Sequence, residues 1–188
     1  RILGELDAQG LRDSTAVVFT SDHGYHLGEH TFWLKNNLHE QVTRVPLLIS
    51  VPGMKPGRTE SIAELVDLFP TLAELAGLDR PSGLHGSSLV PVLEDATAKV
   101  KVGALSFARG TSWRTRDWAY MRYQDGSEEL YDMRVDPAQF TNLAKNEDHA
   151  AVKRGLATAM EKRLEHPEPK RPNVILIMAD DSAADNYG

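Results

Sequence analysis

The sequence predicts an α/β fold: part of a mixed sheet flanked by helices, plus a small C-terminal antiparallel sheet with a helix. Three observations carry this reading. Residues 16–20 (AVVFT), 45–51 (VPLLISV) and 174–179 (VILIMA) are apolar on both faces. Such runs mark strands covered on both sides, and the first two are expected to be parallel. Leu68, Leu72, Leu75 and Ala76 keep a helical spacing. From about residue 102 the runs become short and mixed, and Gln124-Asp125-Gly126-Ser127 reads as a hairpin turn.

The elements follow in order. Ile2, Leu3, Leu6 and Leu11 mark a short helix near the start, broken at Gly10. The strand at 16–20 runs straight into Ser21-Asp22-His23-Gly24, and the strand at 45–51 closes in a turn-rich PGMKPG. Asp67 looks like an N-cap, with Pro70 in the first helical turn and Gly77 just past the end. Pro70 would break a helix begun much earlier, which places the start near Leu68. Strands are expected at 102–107, 118–123 and 129–133. A helix over about 148–165 would carry Val152, Leu156, Ala159, Met160 and Leu164 on one face. Residues 167–172 (PEPKRP) have the composition of a linker.

Composition narrows the function. The 188 residues include no cysteine, which removes disulfide scaffolds, zinc-thiolate sites and cysteine nucleophiles. A net charge of −6 argues against a general nucleic-acid binder and leaves room only for a local basic pocket. The longest apolar run has six residues, too short to span a bilayer. The opening residues hold no signal-peptide core and the chain lacks an initiator Met, so a processed or excised chain is expected, with an upstream segment left open.

Two strands end in acids. VVFTSDHG and VILIMADD each deliver an apolar strand into hard oxygen ligands, and ligands of open α/β sheets bind beyond the carboxyl ends of strands. If the two strands are neighbours, Asp22, His23, Asp180 and Asp181 converge. Three carboxylates at one point repel unless a cation neutralises them. Oxygen donors favour Ca²⁺ or Mg²⁺, with Mn²⁺ or Zn²⁺ admitted by the histidine. The plainer alternative is that Asp-Asp after a strand caps the next helix. Residues 23–35 (HGYHLGEHTFWLK) add His26, His30 and Lys35. Gly24 and Gly28 oppose a helix that would gather three histidines around a transition metal. A loop presenting His and Lys beside a metal suits an oxyanion; the alternative is that His30 and Lys35 are solvated surface groups.

TSDHGYHLGEHTFWLK (20–35), Glu40 and RVPLLISVPG (44–53) resemble the sulfatase family of the alkaline-phosphatase superfamily. LVDLFPTLAELAGL (65–78), LHGSSLVPVL (84–93), SWRTRDWAYMRY (112–123) and ELYDMRVDPAQFTNLA (129–144) continue the likeness, and RPNVILIMADD (171–181) resembles a sulfatase's first strand. The SDHGYHLGEH loop and the RT-x-x-(W/Y)-x-Y pattern are most similar to the iduronate-2-sulfatase-like branch. The resemblance implies an alkaline-phosphatase-like sheet and hydrolysis of sulfate esters, with sulfated sugars such as glycosaminoglycan or polysaccharide units as substrates. It implies Ca²⁺ held by Asp22, His23, Asp180 and Asp181, with Lys35 contacting the sulfate. His26 and His30 are assigned only substrate contact. A periplasmic, secreted or lysosome-like location is implied as well, with neither nucleic acid nor membrane as partner.

Two departures qualify it. RPNVILIMADD opens a sulfatase but closes this chain. Sulfatases also use a formylglycine made in a (C/S)-x-P-x-R motif, which occurs nowhere in these 188 residues. The expected organisation is therefore residues 1–100 as the C-terminal part of the α/β domain, 101–166 as the small subdomain, 167–172 as linker and 173–188 as a first strand out of its usual order. Circular permutation, a tandem boundary or numbering run across an absent part would each give this order. The missing segment or a second chain is then an expected partner, and this chain alone is expected to be inactive. A phosphodiesterase or phosphonate hydrolase of the same superfamily and a non-catalytic Ca²⁺-binding fragment are the alternatives.

Overall fold

The computed structural model describes residues 1–165. In chain order these form α1 (Ile2–Ala8), β1 (Val17–Thr20), β2 (His26–Leu27), β3 (Trp33–Leu34), α2 (Glu40–Thr43), β4 (Leu47–Ser50), α3 (Leu68–Leu75), α4 (Val90–Glu94), β5 (Gly103–Phe107), β6 (Gly110–Thr115), β7 (Trp118–Tyr123), β8 (Glu128–Asp132) and α5 (Ala150–Leu164). The expected linker at 167–172 and strand at 174–179 lie outside the described residues.

The expectation of parallel strands is corrected here. β1 and β4 pair antiparallel, Val17 opposite Ser50 and Thr20 opposite Leu47. An apolar run reports how much cover a strand needs, and carries no information on the direction of its neighbour. Among the described residues one face of this ribbon stays open, with Phe19 and its cross-strand partner Leu48 both exposed.

α3 begins at Leu68 as the proline spacing requires, and Gly77 follows its end at φ 67°, a left-handed turn that glycine adopts without a Cβ penalty. Asp67 holds the N-cap position of α3 but makes no side-chain cap bond to that helix; its carboxylate instead closes a capping box with Glu64 on the turn before it. Its carboxylate is fully buried and accepts from Glu64 N (2.7 Å), Ser87 N (2.8 Å) and Lys101 Nζ (2.6 Å). Lys101 also meets Glu64 at 2.5 Å. Two carboxylates sharing one ammonium tie α3, the 84–89 loop and the approach to β5 together.

The C-terminal sheet is a four-stranded antiparallel meander in the order β5-β6-β7-β8. β6, which the sequence did not announce, supplies its central tryptophan. Alternation along β7 and β8 sends side chains to opposite faces. Trp113, Tyr120 and Leu130 pack under α5 with Met160 and Ala144. Ala119, Met121, Tyr131 and Met133 face the other way and close around Leu38, a residue of the loop preceding α2. Leu38 is 2% exposed, and burying such a side chain contributes about 1.5–3 kcal/mol. That leucine is the apolar anchor of the 21–43 segment on the sheet.

Candidate functional site

β1 ends at Thr20, and Ser21 turns the chain outward, its Oγ donating to His23 O at 2.8 Å. Gly24 follows because nothing larger fits. Its N–H donates to Val42 O at 2.8 Å, and a Cβ there would lie 2.0 Å from Gln41 O. The SDHG turn is thus pressed against α2. His23 Nδ1 lies 2.8 Å from Gly24 O, so Nδ1 carries the proton and Nε2 presents a lone pair. Lys35 Nζ stands 2.8 Å from that Nε2, and Asp22 Oδ2 stands 3.4 Å from it. Partial desolvation works against the charge on Asp22. The backbone N–H groups of His23 and of Asp22 itself, with the Lys35 charge, nevertheless hold its carboxyl below the usual range. Asp22, His23 and Lys35 share the wall of a broad cavity of about 2750 Å³ with Arg44, Arg114 and Arg116.

The structure therefore brings together three of the seven residues singled out in the sequence. Asp180 and Asp181 lie outside the described residues. Among the described residues no group of three or more His, Asp or Glu is placed to hold a metal. Asp22 and His23 fit a share in one ion once Lys35 Nζ, which now meets Nε2, swings aside: a carboxylate held ionised, and an imidazole whose other nitrogen is fixed by a carbonyl, as is usual for ligating histidines.

His26 and His30 stand elsewhere. His26 is fully buried and its Nε2 is engaged by Asn37 Oδ1 at 3.0 Å. His30 is half-buried, stacked between His39 (4.4 Å between centroids) and Phe140 (4.8 Å). Burial, and then the neighbouring His39, push its pKa down, with Ala138 and Glu129 opposing. The histidines serve the loop's own packing.

No helix runs through 23–35, as the two glycines require. β2 and β3 form a tight hairpin, Leu27 opposite Trp33, with the tip closed by Leu27 N donating to Glu29 Oε2 at 2.7 Å. Three residues other than glycine are held left-handed here: His30 (φ 54°), Thr31 (φ 62°) and Leu34 (φ 80°). Each costs on the order of 1–3 kcal/mol and persists only where its surroundings determine it. Leu34 immediately precedes Lys35.

Asn37, His39 and Glu129 escaped sequence reading. Asn37 and His39 are buried, and His39 Nε2 meets Glu129 Oε2 at 3.2 Å on β8. Desolvation raises the Glu129 carboxyl, but hydrogen bonds from His39 and Tyr131 prevail and lower it. Glu40, singled out with the motif, accepts from Arg114 Nε at 2.8 Å, and its N–H donates to Gln139 Oε1 at 2.8 Å. The loop beside the site is therefore bonded to the C-terminal sheet at several points.

Residues 1–78 match the sulfatase family model. Over that span the chain is similar to the sulfatase family. Its curated relatives include the N-acetylglucosamine-6-O-sulfatase of Bacteroides thetaiotaomicron, 32% identical over an alignment covering 99% of this chain and 37% of that protein. Among solved structures, a protein in complex with its substrate D-glucosamine-2-N,6-O-disulfate superposes with a TM-score of 0.81 at 30% identity, covering 88% of this chain and 37% of that one. The phosphonate monoester hydrolase of Agrobacterium radiobacter superposes with a TM-score of 0.76 at 28% identity, covering 89% and 38%. These neighbours share the alkaline-phosphatase-like sulfatase fold. The chain spans 37% of the length of that N-acetylglucosamine-6-O-sulfatase, and 37% and 38% of the two solved structures.

Proposed function

We propose that this chain contributes the metal-ligand turn and a sulfate-contacting lysine to a sulfuric ester hydrolase acting on sulfated sugars. One observation carries the reading: Lys35 Nζ lies 2.8 Å from His23 Nε2 beside Asp22, at the end of β1 and on a cavity wall. Asp22 and His23 would hold Ca²⁺, with Mg²⁺ or Mn²⁺ as alternatives, and Asp180 and Asp181 are the expected further ligands. When bound, the ion supplies Lewis-acid polarisation of a sulfate oxygen. Lys35 places a fixed positive charge where sulfuryl oxygens develop negative charge, and the His23 Nδ1–Gly24 O contact keeps the imidazole from turning. The nucleophile of the family comes from a motif that these 188 residues do not contain, so turnover by this chain alone is not expected. The sugar class is supported by the N-acetylglucosamine-6-O-sulfatase and glucosamine-disulfate relatives, and the SDHGYHLGEH loop supports an iduronate-2-sulfatase-like branch.

Calorimetric titration of the chain with Ca²⁺ tests the site. Binding lost in both Asp22→Ala and Asp180→Ala is expected; no binding, or two silent variants, would overturn the shared-ion reading. Release of sulfate from a generic aryl sulfate by this chain would contradict the expected inactivity. A second reading, phosphonate or phosphodiester hydrolysis, is favoured by the phosphonate monoester hydrolase likeness. Comparing a sulfate ester with a phosphate diester as substrates of a protein that also carries the formylglycine segment separates the two.

A further inference from the structure

Lys35 is exposed, and it follows a strand of two residues whose last member is left-handed. Its Nζ stands 2.8 Å from His23 Nε2, and the residues after it shape the backbone from which the stem springs. Asn37 N donates to Lys35 O at 3.0 Å, folding the chain back on the lysine. The Asn37 side chain is 7% exposed, and its Oδ1 accepts from His39 N and from His26 Nε2, each at 3.0 Å. An atom accepting from a backbone N–H must be the amide oxygen, so His26 carries its proton on Nε2. His39 then reaches Glu129 on β8, and Glu129 accepts from Tyr131 Oη at 2.9 Å. A continuous series of polar links thus runs from the C-terminal sheet to the backbone of Lys35.

We propose that Asn37, gripped by His26 and His39, is the positioning residue for Lys35, and that through it the C-terminal sheet sets how the lysine meets an oxyanion such as sulfate. The inference rests on Lys35 being the sulfate contact. Asn37 lies on the same cavity wall as Lys35, but its amide oxygen is taken up by His26 and His39, so its action on the lysine runs through the backbone bond. Removing its amide leaves the His26 and His39 donors unpaired inside the loop, and the left-handed Leu34 loses one of the constraints that hold it.

The test is titration of the 188-residue chain with sodium sulfate by calorimetry, with ¹³Cε-lysine NMR reporting on Lys35. Lys35→Met is expected to abolish binding. Asn37→Ala is expected to weaken it about tenfold and to shift the Lys35 resonance before sulfate is added. Asn37→Asp keeps the acceptor and is expected to bind within about twofold of the parent. Should Asn37→Ala fail to fold, His26→Phe, which removes one of the two bonds, carries the same expectation at about threefold. Full affinity and an unmoved Lys35 signal in Asn37→Ala or His26→Phe, with Lys35→Met not binding, would overturn the positioning role and leave the sulfate reading standing. Unchanged binding in Lys35→Met, or none by the parent chain, overturns that reading and this inference with it.

Discussion

Replacing Gly24 by alanine should damage the candidate site without altering any of its functional groups. The added Cβ would stand 2.0 Å from Gln41 O and 3.0 Å from Gln41 C. Relief needs about 1 Å of separation between two backbones, since carbon–oxygen contacts repel steeply below roughly 3 Å. Neither side yields easily. α2 is held by Glu40, which accepts from Arg114 and donates its N–H to Gln139, and by Val42, 6% exposed. Overpacking of this kind costs about 1–3 kcal/mol. Loss of the Gly24 N–Val42 O bond adds about 1 kcal/mol. The expected destabilisation is therefore about 2–4 kcal/mol, read as a lower urea midpoint with an unchanged slope. Gly126→Ala is the control: its φ of 83° strains alanine, but nothing lies within 4 Å, so about 1–2 kcal/mol is expected. If Gly24→Ala costs no more than Gly126→Ala, the close approach of the SDHG turn to α2 is not what fixes the turn.

Three further outcomes follow from the packing. Lys101→Met leaves the buried Asp67 carboxylate without its cation, and Glu64 with the more distant Arg163 at 3.7 Å, and should cost about 3–5 kcal/mol in urea unfolding at neutral pH. Met160→Ala empties the fully buried contact between α5 and the sheet, and should cost about 2–5 kcal/mol with early loss of helix signal. His30 has a folded pKa below the ordinary 6.5, so the unfolded chain takes up its proton first on acidification. Its contribution is complete above that ordinary value and fades as pH falls through the folded one, where His39, His26, Glu129 and the Ala138 carbonyl surround the ring. His30→Phe keeps the stack on Phe140 and should flatten that part of the stability–pH profile; an unchanged slope would refute it. Glu129 adds a separate loss lower down, because its depressed carboxyl stabilises above the usual glutamate range and ceases to as pH falls through the folded value.

What the sequence disclosed divides by distance along the chain. α3 was legible because Pro70 and Gly77 act on their own backbone, and the 124–127 turn because Asp-Gly does likewise. The Asp22–His23–Lys35 grouping was legible as a motif, since one short hairpin brings its members together. The direction of β1 against β4 was not, because pairing depends on the partner and not on the run itself. β6 was overlooked because GTSWRT mixes small and polar residues, and its Trp113 finds its burial only against β7 and α5. The burial of His26 was not legible for a related reason. A histidine in a loop of ligand-like residues looks outward on paper, whereas Asn37 turns it inward and the strand bearing Glu129 and Tyr131 walls off that loop.

The β1–β4 ribbon has a consequence for handling the protein. Among the described residues these strands bond only to each other, so both outer edges offer unmatched N–H and C=O groups, flanked by the bare Phe19–Leu48 pair. Two-stranded ribbons are marginal in water, and flat apolar edges recruit other strands. Amide hydrogens of Val17–Thr20 should exchange far faster than those of β7, and self-association should begin at this ribbon. Since Asp22 and His23 hang from its end, whatever strand covers that edge also steadies the SDHG turn.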